Sequence, residues 1–323
     1  MKKIVITGAT GAIGIALIHY ALELQMQVLA ICHKGSERIA RLPKTDNLRI
    51  LELNTEEYSD FVNNKEELSS LGKYDSFFHL AWKGTTGVAR NDMNLQLSNI
   101  QNTLDAVELA AGLGCKCFVG AGSQAECGRV EGTISSTTPT FPENGYGIAK
   151  LCAGQMSRIR CEQLEMKHIW TRILSVYGPG DGEGSLVMSA ISGFLNQRQT
   201  EFTAGMQKWD YLYSGDAARI LMGLAEYGSP GMVYCVGSGR IQLLKEYIHQ
   251  IYREVNGKDA TDEQLGIGLR PYMDKQVMHL QADVTEWPKE LQYEFEETPM
   301  CSFSQGIRRM IDWMNNLYGE RNA

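Results

Sequence analysis

The chain has 323 residues, which at roughly 150 per domain predicts about two domains, or one large unit with an elaborated end. Hydrophobic residues make up 43% and charged residues 21%, with 33 Gly against 8 Pro, so disordered, collagenous and low-complexity chains are excluded. The formal net charge of −7 argues against nucleic acid or an anionic membrane as the main partner, because both need a cationic footprint.

Apolar runs stay well short of the roughly 20 residues that span a bilayer, and a cytoplasmic location is the expectation. The 8 cysteines form one C-x-C and no C-x-x-C. That pattern predicts buried thiols and neither a metal site nor a disulfide framework.

In chain order, Lys3–Thr7, Val28–Cys32, Leu48–Leu53, Ser76–Leu80, Lys116–Ala121 and His168–Leu174 are short runs rich in branched or aromatic residues. They are expected as strands covered on both faces. Between the first two, Ile13, Ala16, Leu17, Ala21 and Leu24 recur at helical spacing. Helical patterns also cover about 91–113 and 146–165. Alternating strands and helices imply βαβ units and hence an α/β fold with a doubly wound parallel sheet.

After Leu174 the turn-rich Tyr177-Gly178-Pro179-Gly180-Asp181-Gly182 marks a boundary or a loop over a site. A helix (about 185–195), a short strand (232–236), a helix (243–255) and a final amphipathic helix (about 304–317) follow. The expected organisation is a dinucleotide-binding domain of residues 1–174 plus about 209–238, and a smaller substrate lobe of about 175–208 plus 239–323.

Thr7-Gly8-Ala9-Thr10-Gly11-Ala12-Ile13-Gly14 lies directly between the first strand and the first helix. Gly8 permits the tight turn, Gly11 lets backbone approach a phosphate, and Gly14 allows close helix–strand packing. The free N–H groups of the helix start, around Thr10, Ala12 and Ile13, then face a dinucleotide pyrophosphate.

The G-x-x-G-x-x-G spacing resembles that of short-chain dehydrogenases/reductases, and further residues extend the likeness. Tyr146-Gly147-Ile148-Ala149-Lys150 matches the family's Y-x-x-x-K, and Ser123 stands 23 residues before Tyr146. Phe78-His79-Leu80-Ala81 resembles the fourth-strand motif, which puts Leu80 and Ala81 beside the nicotinamide ribose. Arg172-Ile173-Leu174-Ser175-Val176-Tyr177-Gly178-Pro179 looks like the R-x-x-x-V-Y-G-P of the extended, sugar-nucleotide-modifying branch. Together with Trp209-Asp210-Tyr211 and Arg270-Pro271-Tyr272, the resemblance covers nearly the whole chain.

The resemblance implies a nicotinamide cofactor and a catalytic set of Ser123, Tyr146 and Lys150. Tyr146 and Lys150, four apart on a helix, project from one face. An ammonium there favours the phenolate and fits Tyr146 for proton transfer, Lys150 also bonds the ribose, and Ser123 donates to the substrate oxygen. At the end of the second strand, where an NAD site normally carries a carboxylate, stand His33, Lys34, Gly35, Ser36, Glu37 and Arg38. Lys34, Ser36 and Arg38 suit a 2′-phosphate, so NADP is expected, with NAD the alternative. Asn54 takes the place of the family's Asp near the adenine.

Candidate substrate contacts under the same likeness are Trp82, Gln124, Ser175 and Arg270, the last as a pyrophosphate clamp. Dehydratases of the family carry Asp-Glu after the hydroxyl residue, and here Gln124-Ala125 stands there. The pattern looks like bacterial reductases of nucleotide-linked 4-keto-6-deoxyhexoses, which form products such as CDP-abequose or dTDP-fucose for surface polysaccharides. An NAD-dependent 4-epimerase is the alternative, and a non-catalytic dinucleotide sensor a more distant one. The helices at 91–113 and 146–165 correspond to the family's dimer interface, so a homodimer acting on a nucleotide sugar is expected.

Overall fold

The protein, seen in a computed structural model that describes residues 1–319, gathers the expected strands into one seven-stranded sheet. These are β1 (Lys3–Thr7), β2 (Gln27–Cys32), β3 (Leu48–Glu52), β4 (Ser76–His79), β5 (Cys117–Ser123), β6 (Lys167–Ile173) and β7 (Val233–Val236). Their order is β7-β6-β5-β4-β1-β2-β3, and every pairing is parallel. The chain runs outward one way from β1 through β2 to β3, and the other way from β4. Between β1 and β4 the order reverses, and ligands of open parallel sheets bind at such a point, beyond the carboxyl ends of the strands.

Both faces of the sheet are buried, which is why the strands are unbroken apolar runs. Ile4 and Ile6 pack into one core with Val28, Ala30, Phe78 and Val119, while Val5 faces a second core with Leu29, Phe77 and Phe118. The first core is covered by α1 (Ala12–Glu23) and the second by α2 (Met93–Gly112) and α3 (Gly145–Gln163). Each fully buried Leu, Ile or Phe contributes about 2 kcal/mol of hydrophobic stabilisation.

Helices α4 (Leu186–Leu195), α6 (Leu244–Asn256) and α7 (Phe303–Gly319) build a separate core from Ile191, Phe194, Ile248, Ile251, Ile307 and Met310. Tyr211 and Tyr213, from the short strand Tyr211–Tyr213, stack edge-on against Tyr177 in this layer. Helix α5 (Ser214–Tyr227) follows that strand directly and covers the first core. Trp287 and Leu291, in the range the sequence assigns to the second lobe, also belong to the first core, and the Trp287 indole N–H donates to the Cys235 carbonyl at 2.8 Å. The reason is geometric: the segment returns across β7 and α5 before entering α7.

Among the described residues all 8 cysteines are unpaired, and no cluster of His, Cys, Asp or Glu could hold a metal ion. No described helix is long and apolar enough to cross a membrane.

Candidate active site

The glycine turn sits at the reversal point. Gly8 has φ +66°, and a Cβ there would lie 2.8 Å from the Ala81 backbone nitrogen. A Cβ on Gly14 would meet the Gly8 carbonyl oxygen at 2.4 Å, so α1 can start beside β1 only without a side chain. Gly11 differs, since a Cβ there would meet only that same carbonyl oxygen, at 3.5 Å. Gly11 is also the N-cap of α1, with no side-chain cap and no acid in the first turn. The first N–H groups of α1 therefore face the cleft unpaired, the arrangement that receives a phosphate.

Thr7 closes the floor of this turn. Its hydroxyl accepts from the Leu80 and Ala81 N–H groups at 3.2 and 3.3 Å and meets His79 Nδ1 at 3.0 Å. His79 also reaches the Thr103 hydroxyl, and burial, with the Lys150 charge second, drives its pKa down to about 3. It is a neutral strut.

The end of β2 departs from expectation. Lys34 is not a free cation: its ammonium pairs with Glu57 at 2.5 Å, and its N–H donates to Asn54 Oδ1 at 3.1 Å. Asn54 is thereby occupied with the chain's own backbone. An acid does reach this end, supplied by β3, because Glu52 accepts from the Gly35 N–H at 2.8 Å. In register, Glu52 faces Cys32, the last residue of β2. His33 and Arg38 are exposed and Ser36 half-buried. The Arg38 charge acts on Asp181 in the turn-rich loop after Leu174.

Ser123, Tyr146 and Lys150 come together over the ends of β4 and β5. Asn144 caps α3 by accepting from the Gly147 N–H at 2.9 Å. A Cβ on Gly147 would lie 2.3 Å from the Ala125 carbonyl oxygen. That glycine lets α3 press against the turn after Ser123, so one residue earlier the Tyr146 phenol reaches Ser123. Burial pushes the Tyr146 pKa up, while the Ser123 hydroxyl and the Arg90 charge pull it down. Lys150, one helical turn on, is 4% exposed. Its ammonium donates to the Ala121 carbonyl at 2.5 Å and lies 3.7 Å above the Trp82 ring. Burial lowers its pKa to about 7, against a smaller opposing pull from Glu126.

Of the candidate substrate contacts, Trp82 lies edge-on to Tyr146 with ring centroids 6.1 Å apart. The Ser175 hydroxyl accepts from the Trp209 indole N–H at 2.8 Å. Gln124 is half-buried beside Ser123. Arg270 is exposed, 3.9 Å from Glu201, and lines a cavity of about 1340 Å³ with Leu186, Ser189 and Phe202.

Two residues near the triad have roles that the sequence reading did not assign. Glu126 is 1% exposed and accepts from the Ser123 N–H at 2.8 Å, the Trp170 indole at 2.9 Å and Arg172 at 3.4 Å. Burial raises its pKa, against these three donors. Arg172, from the R-x-x-x-V-Y-G-P stretch, spans from Glu126 to the Ser135 and Ser136 carbonyls. Arg90 is the other, its guanidinium 4.4 Å from the centroid of the Tyr146 ring. The only sequence signal for either was isolation: one acid in an uncharged turn, one Arg in a Gly/Thr-rich stretch.

The model for the NAD dependent epimerase/dehydratase family matches residues 4–237. The dTDP-D-glucose 4,6-dehydratase of Mus musculus is 23% identical over 203 residues, 61% of this chain and 55% of that protein, so the chain spans about half of that relative's length. The dTDP-4-dehydro-6-deoxyglucose reductase of Escherichia coli is 25% identical over 264 residues, 79% of this chain and 82% of that protein. CDP-abequose synthase of Salmonella muenchen is 23% identical over 316 residues, 96% of this chain and 97% of its own. Among solved structures, UDP-glucose 4-epimerase from Thermotoga maritima with UDP-glucose superposes with a TM-score of 0.80 at 21% identity, covering 98% of this chain and 99% of that one.

Proposed function

This chain belongs to the NAD dependent epimerase/dehydratase family, and from that premise we propose that it reduces a nucleotide-linked 4-keto-6-deoxyhexose with NADPH. Members of the family are NAD-dependent oxidoreductases, epimerases and dehydratases acting on sugar nucleotides. The observation that carries the choice is the state of Glu126. Eliminating water from a hexose requires an acid and a base beyond the triad. The one carboxylate beside Ser123 is buried and taken up by the Ser123 N–H, Trp170 and Arg172. Dehydration thus lacks its extra groups, while hydride chemistry at a carbonyl needs only the triad.

The glycine turn fits a dinucleotide pyrophosphate through the room at Gly11 and the bare N-terminus of α1. The bound cofactor supplies a hydride to the sugar carbonyl carbon. Around that event Ser123 donates to the substrate oxygen, Tyr146 delivers a proton to it, and Lys150 orients the ribose and favours the phenolate. Arg270 and its cavity take the nucleotide half of the substrate. Arg38 is the cation for a 2′-phosphate.

One observation favours a second reading. Glu52 at the Gly35 N–H places a carboxylate where it would repel a 2′-phosphate and bond ribose hydroxyls. That chemistry fits NAD, and with it a 4-epimerase. The outer faces of α2 and α3 leave Met93, Leu97, Ile148, Met156 and Ile159 exposed, which supports a homodimer through these helices.

The test is consumption of NADPH and NADH with CDP- and dTDP-linked 4-keto-6-deoxyglucose, with product stereochemistry read by NMR. Net NADPH oxidation that falls by about 100-fold or more in Tyr146→Phe is the expected result. Tightly retained NAD with no net change in absorbance would instead identify the epimerase.

A further inference from the structure

Residues 82–91 form a loop between β4 and α2 that lies against the start of α3. It holds its shape through two inward-facing amides of α2. Gln96, 2% exposed, donates to the Gly84 and Ala89 carbonyls at 3.0 and 2.9 Å and accepts from the Trp82 indole N–H at 3.0 Å. Asn99, 3% exposed, accepts from the Lys83 N–H at 3.0 Å and donates to the Lys83 carbonyl at 2.9 Å. At the far end the Asn91 side chain accepts from the Gly145 N–H at 2.9 Å, immediately before Tyr146. The loop is therefore tied to the helix that carries the phenol.

Two side chains of this loop meet the Tyr146 ring. Trp82 presents its edge, and the Arg90 guanidinium lies 4.4 Å from the ring centroid. Arg90 is held there by a bond from Nη1 to the Thr85 carbonyl at 3.1 Å. Lys150 is farther away, its ammonium 5.8 Å from the same centroid, and it is turned to Ala121 and Trp82. In this arrangement the cation nearer the centre of the Tyr146 ring is Arg90. A guanidinium keeps its charge at every working pH, whereas burial leaves Lys150 at about 7.

We propose that Arg90 is a positioning residue for Tyr146, holding the ring from the loop side and supplying the fixed positive charge that offsets the anionic phenol during proton transfer. The proposal rests on the reading of Tyr146 as the proton donor and adds a residue that the triad does not contain. The groups that face the phenol are Ser123 from β5, Arg90 from the loop, Glu126 from the turn after β5, and Lys150 from α3 itself. Ser123 and Arg90 favour the phenolate and Glu126 opposes it. Replacing Arg90 by a neutral side chain leaves Glu126 less opposed, so the phenol should hold its proton to higher pH.

The experiment reads the unloaded protein labelled with 3-fluorotyrosine, whose ring ionises at lower pH than tyrosine. The Tyr146 fluorine resonance is assigned by its loss in Tyr146→Phe. In Arg90→Met its titration midpoint should rise by about 1 pH unit, a tenfold change in ionisation constant, while Arg90→Lys keeps most of the original midpoint. Arg90→Gln serves as a second neutral variant should Arg90→Met fold poorly. An unchanged midpoint in the neutral variants, or an equal rise in Arg90→Lys, overturns the proposal. Because no turnover is needed, a Tyr146→Phe enzyme that still reduces substrate would sink the reading of the reaction and leave the Arg90 answer standing.

Discussion

Arg38 and Lys34 lie four residues apart in the sequence, and the fold treats them differently. Glu57 neutralises Lys34 at 2.5 Å, so a 2′-phosphate would have to break an existing ion pair to use it. Arg38 is exposed, and its charge acts on Asp181. Arg38→Ala should therefore weaken NADPH by about tenfold, the worth of one charge-assisted hydrogen bond, while NADH binding stays within a factor of two or so. Cofactor titrations followed by protein fluorescence would check this. Equal losses for both cofactors would remove Arg38 from the 2′-phosphate site. The difference between the two cations was invisible in the sequence, because Glu52 arrives at the end of the neighbouring strand and Glu57 from the turn that follows it. Register brings them there, and register depends on the whole sheet. The glycine turn and the Tyr146–Lys150 spacing were legible because each works within two turns of chain.

Elements were legible where one physical signal dominated. β1 and β2 are short, branched and covered on both sides, and the sequence shows them within a residue of their observed bounds. Helix α5 was missed: no side chain caps it, it starts straight from a strand, and Gly215 and Gly223 dilute its helical signal. Gly223 is explained by its neighbour, since a Cβ there would meet Leu291 at 2.5 Å. Between that strand and its partners Asp210 acts as a hub. It is fully buried and accepts from the Ser238 N–H at 2.8 Å and hydroxyl at 2.5 Å, the Gly239 N–H at 2.9 Å and the Ala282 N–H at 3.0 Å. Burial raises its pKa despite these donors. Asp210→Ala leaves three N–H groups in two segments unmatched, and should cost about 3 kcal/mol of stability, seen as a lower midpoint in urea. A loss below about 1 kcal/mol would show that water replaces the carboxylate.

At the scale of the molecule, acid sensitivity follows from two histidines enclosed as neutral rings. Burial lowers His79 to about 3 and His168 to about 4, from an ordinary value near 6.5. The unfolded chain takes up protons at both rings as pH falls below 6.5, and the native chain does not. Stability is therefore fully present above pH 6.5 and declines toward pH 4, at up to about 1.4 kcal/mol per pH unit for each ring. Urea midpoints between about pH 7 and pH 4.5 should fall with that slope, and His168→Gln should flatten it. An unchanged slope would mean that His168 is charged in the native state.

The loop at 82–91 has a consequence for how the site exchanges its contents. Gln96 and Asn99 lie in the first two turns of a 20-residue helix, both buried, so freeing the loop means pulling its carbonyls away from amides that the helix holds in place. Its backbone should open only together with the first turns of α2. Hydrogen exchange at Lys83 would then be as slow as in α2. The segment is a fixed wall of the site, and ligand traffic has to pass on the side where no helix amide holds the chain.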